Sequence, residues 1–254
     1  MRNEKPILFK DDMIRAILEG RKTQTRRVVK SPAKNMQASG AEVIKHRAPG
    51  DKWYGDHVWS MRGSSGVWGD YTHERFLSMC PYGKPGDRLW VRETWCAVDD
   101  TDLNGERWVD YRATPRYSAE HPAGWENAPD SPEALKWRPS IHMPRWASRI
   151  TLEITDVRVE RLQDISEEDA IAEGAQHFPD LPGMSPYGQD CRWSMEQPES
   201  VYQCLSSARW AFANYFCKLA GNAPKGLHDE KPWEANPWVW VIEFKRIDQE
   251  VKAA

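Results

Sequence analysis

Between Arg149 and Gln163 the side chains of Ile150, Leu152 and Ile154 alternate strictly with polar residues, and Val157 and Val159 resume the alternation after a break at Asp156. Apolar residues repeating every second position mark a half-buried strand, and a break in phase implies one long strand with a bulge or two strands meeting in a bend. Trp238–Phe244 reads as a strand near the end of the chain, and Leu89–Trp95 reads as another, launched by the Pro85-Gly86-Asp87 turn. Pro6–Phe9 is a short buried strand, and Trp108–Arg112 has the content of a further short one.

Three helices accompany these strands. Asp11 or Asp12 caps the first, which carries Met13, Ile14, Ile17 and Leu18 on one face and stops at Gly20. Ser166-Glu167-Glu168-Asp169 resembles a capping box and opens a helix that runs to about Glu173, before Gly174. From Val201 to Leu219 apolar and aromatic residues recur at helical spacing, as in a core-packed helix. Several short strands with few helices predict an α+β fold, a mixed barrel-like sheet flanked by helices. The 254 residues are expected to form one enlarged domain decorated by loop insertions at about 31–82, 97–133 and 176–232.

Composition narrows the functional classes. A formal net charge of -3 and an isoelectric point near 6.2 do not suit a protein that coats nucleic acid, because each neutralised phosphate needs its own cation. No acidic residue lies between Glu19 and Glu42, however, while Arg21, Lys22, Arg26, Arg27, Lys30 and Lys34 do, so one basic loop is expected to meet an anion locally. With no long apolar run and no signal-like start, a cytoplasmic protein without membrane contact is expected. The five cysteines form no C-x-x-C pair and are read as thiols. P-loop, dinucleotide-glycine and H-E-x-x-H patterns are missing from the sequence, and no metal or cofactor is expected. Fourteen tryptophans in a chain of mean hydropathy -0.76 either pin polar loops to a small core or stack on bases.

Lys22 and Thr25 are the first candidates for chemistry. A threonine hydroxyl needs a base within reach, and a lysine serves as one only when burial or neighbouring cations lower its pKa. The alternative is that both are solvated loop residues. Glu173 attracts notice because an anion in the last helical turn opposes the macrodipole. His142, between Pro139 and Pro144, suits acid–base work or a structural hydrogen bond. Trp233–Trp238 offers an aromatic wall with the Asn236 amide, or a turn packed on the core.

Gly20-Arg21-Lys22-Thr23-Gln24-Thr25-Arg26-Arg27, Pro85-Gly86-Asp87-Arg88-Leu89-Trp90-Val91-Arg92-Glu93-Thr94-Trp95, His142-Met143-Pro144-Arg145-Trp146-Ala147-Ser148-Arg149 and Asn236-Pro237-Trp238-Val239-Trp240 together resemble the ASCH domain of the PUA-like superfamily. The chain is similar to the enlarged ASCH-type proteins of bacteriophages and prophages, which implies the cytoplasm of a bacterial host cell as its setting. The resemblance implies a PUA-like β-barrel with a cleft for RNA, single-stranded nucleic acid or a modified nucleoside. Small bacterial members of the superfamily are amidohydrolases that deacetylate N4-acetylcytidine with a lysine, a threonine and a glutamate. By motif those positions are Lys22, Thr25 and Glu173, and Arg27 is an anion or oxyanion partner. Nucleic-acid or substrate contacts are expected at Arg21, Thr23, Arg26, Arg27, Glu93, His142, Arg145, Trp146, Asn236 and Trp238. The chain is more than twice the length of those small enzymes, so RNA or DNA binding without catalysis, or a role in phage assembly or host interaction, stand as alternatives.

Overall fold

A computed structural model describes residues 3–47, 55–99, 108–115, 136–183, 191–220 and 232–247. Along the chain run β1 (Glu4–Leu8), α1 (Asp11–Leu18), β2 (Gln24–Val28), α2 (Lys34–Ala38), β3 (Ile44–His46), β4 (His57–Arg62), β5 (Trp68–Thr72), α3 (His73–Ser78), β6 (Arg88–Arg92), β7 (Trp95–Asp99), β8 (Trp108–Tyr111), β9 (Thr151–Arg161), α4 (Glu167–Ala172), β10 (Gln176–His177), β11 (Trp193–Ser194), α5 (Ala208–Ala220) and β12 (Trp238–Ile247).

The fold is α+β. Its centre is a five-stranded sheet in the order β1-β6-β9-β12-β2, parallel between β1 and β6 and antiparallel elsewhere. The alternating segment forms one continuous strand, β9. Glu243 pairs with Asp156 and Phe244 with Ile154, so the register slips past Thr155 beside the break seen in the sequence. An extra residue there bends the strand while keeping apolar side chains inward on both sides of the bulge.

β12 is buried on both faces. Trp240, Ile242 and Phe244 enter the larger core with Leu152, Ile154 and Val157. Val239 and Val241 point the other way, into a second core with Phe212 of α5 and Ala170 of α4. Helix α1 covers the larger core with Met13, Ile14 and Ile17, each buried apolar side chain contributing about 1.5–3 kcal/mol.

Expectation and structure differ in several places. The strand expected over Leu89–Trp95 is split, because Glu93 turns inward and Trp95 opens the separate β7–β8 hairpin. The helix expected from Val201 begins at Ala208, and Val201–Gln203 makes only a single 3-10 turn. The segment 31–82 is more than decoration: β3, β4 and β5 form a three-stranded sheet, and Trp59, Met61 and Phe76 sit in the larger core. The insertion expected at 97–133 falls largely outside the described residues, which within it show only the end of β7, β8 and the turn to residue 115. The sheet ladder does not close, since the edge strands β1 and β2 share no backbone pairing. Arg27 of β2 spans that seam, donating from Nη2 to the Leu8 carbonyl at 2.6 Å and lying 5.2 Å from the Phe9 ring centroid.

Candidate functional site: a buried Lys22–Glu173 pair

Helices α1 and α4 end against each other. Gly20 and Gly174 adopt φ values of +76° and +110°, the left-handed conformation that lets a chain leave a helix abruptly. The amides of Arg21 and Lys22 then return to the Ala16 carbonyl, at 2.9 and 3.0 Å. The resulting turn drives Lys22 into the C-terminus of α4.

Lys22 is 2% exposed and Glu173 1%. The Lys22 ammonium donates to Glu173 Oε2 at 2.6 Å and to the Glu173 carbonyl at 2.8 Å. One cation therefore neutralises the carboxylate and satisfies a terminal carbonyl of the helix, which removes the macrodipole conflict foreseen for Glu173. Burial pushes the Lys22 pKa down, opposed by the Glu173 carboxylate and aided by Arg27 and Arg26.

The segment expected as a basic loop is a strand from Gln24 onward, and its period of two sorts the candidates by face. Gln24 and Arg26 face α4. Arg26 Nη2 meets Asp169 Oδ2 at 2.7 Å and Glu160 Oε2 at 3.1 Å, and Nη1 meets Glu173 Oε1 at 3.4 Å. The Gln24 amide donates to Asp169 Oδ1 at 3.0 Å and to its carbonyl at 2.8 Å. Thr25 lies opposite Ile242, a larger-core residue, and is 1% exposed. Arg27, on the same side, reaches Leu8 and Phe9. Thus the positive field expected across this segment is compensated from within at Lys22 and Arg26, and Arg21 pairs with Glu19 at 2.6 Å. Thr23 is exposed and is held through its backbone, its amide donating to the Ala172 carbonyl at 2.8 Å.

The other candidates lie in two further groups. Glu93 is fully buried and accepts a fork from Arg149 at 3.0 and 2.8 Å; burial raises its pKa, and that guanidinium opposes the rise. His142 is exposed in a 3-10 turn, Arg145 pairs with Glu4 at 2.9 Å, and Trp146 rests edge-on against Trp95, its surface half exposed. In the third group Trp238 packs edge-on against Trp59 at 4.8 Å, beneath the Arg161 guanidinium at 4.2 Å. Asn236, with φ +42°, accepts from the Gln163 amide through Oδ1 at 2.8 Å, the contact of a turn packed on the core.

Sequence reasoning missed the acidic half of the first group. Glu160, Asp169 and Glu243 arrive from β9, α4 and β12, and Arg158 ties them together, meeting Glu160 at 2.5 Å, Asp169 at 3.2 Å and Glu243. Charges at alternate positions of β9, Arg158 and Glu160, were the visible signal. Among the described residues no group of three or more His, Cys, Asp or Glu side chains could hold a metal ion, and no helix is long and apolar enough to cross a membrane. Comparisons of the chain with protein-family models, curated proteins and solved structures return no match.

Proposed function

We propose that this is an ASCH-type, PUA-like protein of phage origin that binds a modified nucleoside or nucleic acid and deacylates N4-acetylcytidine-type nucleosides at Lys22, Thr25 and Glu173. The observation that carries the proposal is the buried Lys22–Glu173 contact at 2.6 Å, in a segment that places Thr25 three residues away on the face shared with Arg27. A buried lysine whose pKa is lowered by burial, held in place by its hydrogen bond to Glu173, has the chemistry of a base for a threonine hydroxyl. The Arg27 bridge across the β1–β2 seam supports a PUA-like curl of the sheet, although the ladder is open.

In the reaction, neutral Lys22 takes the Thr25 proton as Oγ1 adds to the acyl carbon. Arg27 faces the developing oxyanion, and the cytidine amine leaves with a proton relayed through Lys22 and Glu173. Water then hydrolyses the threonine ester and releases the acid.

The near-complete burial of Thr25 favours a second reading, nucleic-acid binding without catalysis. Hydrolysis of N4-acetylcytidine by the purified protein and by Thr25→Ala separates the two. Turnover that disappears in a Thr25→Ala variant of unchanged melting temperature supports the enzyme. A folded wild type with no turnover, but with RNA affinity that falls steeply with salt, supports binding alone.

A further inference from the structure

Leu89 and Val91 of β6 fill the larger core, so Arg88, Trp90 and Arg92 face the other way, under the 3-10 turns Ser140–His142 and Arg145–Ala147. On this outer face Arg92 lies 4.6 Å from the Trp90 ring centroid and donates through Nη1 to the Ile141 carbonyl at 3.3 Å. Arg138 lies 5.1 Å from the Trp95 ring centroid. Arg145 is paired with Glu4, whereas Arg92 and Arg138 form no ion pair among the described residues.

The buried atoms left unpaired here are all donors. Trp95 is 3% exposed, yet its indole N–H has no acceptor among the described residues, and neither does the Nε of Arg88 or of Arg92. A buried N–H without an acceptor has given up its hydrogen bond to water, and an acceptor brought by a ligand restores it. Apolar surface stands beside these donors. Ile141 is 57% exposed, and Trp146, edge-on to Trp95 at 5.9 Å, is 50% exposed.

A ligand that fits brings anionic acceptors in series with flat rings. A phosphodiester strand with unpaired bases does both, because guanidiniums grip phosphate oxygens and every base has a face to lay on an aromatic ring. A duplex keeps its base faces stacked inside, and an acidic peptide brings carboxylates without a ring for Trp146. We propose that this face binds single-stranded nucleic acid, with Arg92 and Arg138 each on a phosphate and a base stacked on Trp146.

The inference rests on the reading of the protein as one that meets nucleic acid, and it adds the face, the single-stranded form and contacts separate from Lys22, Thr25 and Glu173. Leu8, whose carbonyl takes Arg27, pairs with Arg92, and the Phe9 amide donates to the Arg92 carbonyl at 3.3 Å, so the face adjoins the β1–β2 seam.

Fluorescence anisotropy with a labelled single-stranded RNA of about ten nucleotides tests it, using Arg92→Gln, Arg138→Gln and Trp146→Ala. Trp146→Ala is expected to weaken binding about fivefold or more. Two phosphate contacts give log K a slope of about -1.4 against log salt, and Arg138→Gln, a change to an exposed side chain, should flatten it by about 0.7. Unchanged affinity in all three folded variants overturns the assignment, as does a wild type without saturable binding. Tighter binding of polyglutamate, or of a duplex of the same sequence, also overturns it. Strand binding that falls in these variants, beside no hydrolysis of N4-acetylcytidine, refutes the deacylase and keeps the face; hydrolysis beside strand binding that the variants leave unchanged does the reverse.

Discussion

Removing the Glu173 carboxylate should destabilise this protein far more than removing a surface ion pair. The Lys22 side chain is 0% exposed and that of Glu173 1%, and both hydrogen bonds of the ammonium go to Glu173. Glu173→Ala leaves Lys22 with a backbone carbonyl and no counter-charge except what reaches it from Arg26's own partners. Breaking a buried pair from one side costs about 3–5 kcal/mol, because the orphaned charge keeps its desolvation cost. At about 2–4 °C per kcal/mol for a chain of this size, the melting temperature should fall by about 6–20 °C. The double variant Lys22→Met/Glu173→Gln should recover much of that, since Arg26 retains Asp169 and Glu160.

The pH dependence has a definite sign. Burial depresses the folded Lys22 pKa below its ordinary 10.5, so the unfolded chain binds more protons in that window and stability rises with pH across it. In Glu173→Ala the depression deepens, and the deficit against wild type should shrink between about pH 7 and pH 10. Urea unfolding at both pH values measures it. A single-variant cost under about 1 kcal/mol, typical of exposed pairs, would refute the argument from burial.

Further outcomes follow from neighbouring groups. Asp169 is held below its ordinary 3.8: burial raises its pKa, but the Gln24 hydrogen bond and the Arg26 and Arg158 charges outweigh it. Its contribution is therefore present above 3.8 and lost as pH falls through the folded value, and Asp169→Asn should flatten the acid limb of stability below about pH 5 in a denaturant series. Gly174→Ala should cost about 1–3 kcal/mol, because φ is +110° and the new Cβ would meet Ala16 Cβ at 3.1 Å. Trp59→Ala should cost about 3–5 kcal/mol by chemical denaturation, since Trp59 stacks on Phe76 at 4.5 Å and is 1% exposed. A loss below about 1 kcal/mol would return the segment 31–82 to the status of surface decoration.

The sequence determined by itself those features whose signal is local. The alternation through Ile154 and Val157 specified β-structure on both sides of Asp156, because side-chain period follows directly from backbone geometry, while the pairing with β12 decided for one bulged strand over two strands in a bend. Ser166 and the two glycines marked the ends of α4 and α1, since caps and positive φ are properties of single residues. Lys22, Thr25 and Glu173 stood out by type and position. What the sequence left open depends on which distant segments meet. That Lys22 would be buried rather than solvated was decided by α1 ending against α4, across 151 residues of chain. That Arg26 would be neutralised was decided by β2 pairing with β12 beside β9, which brings Glu160 and Asp169 to it. A run of cations reads as a basic surface until the tertiary structure supplies its anions, because Coulomb energy depends on distance and burial, neither of which is written along the chain.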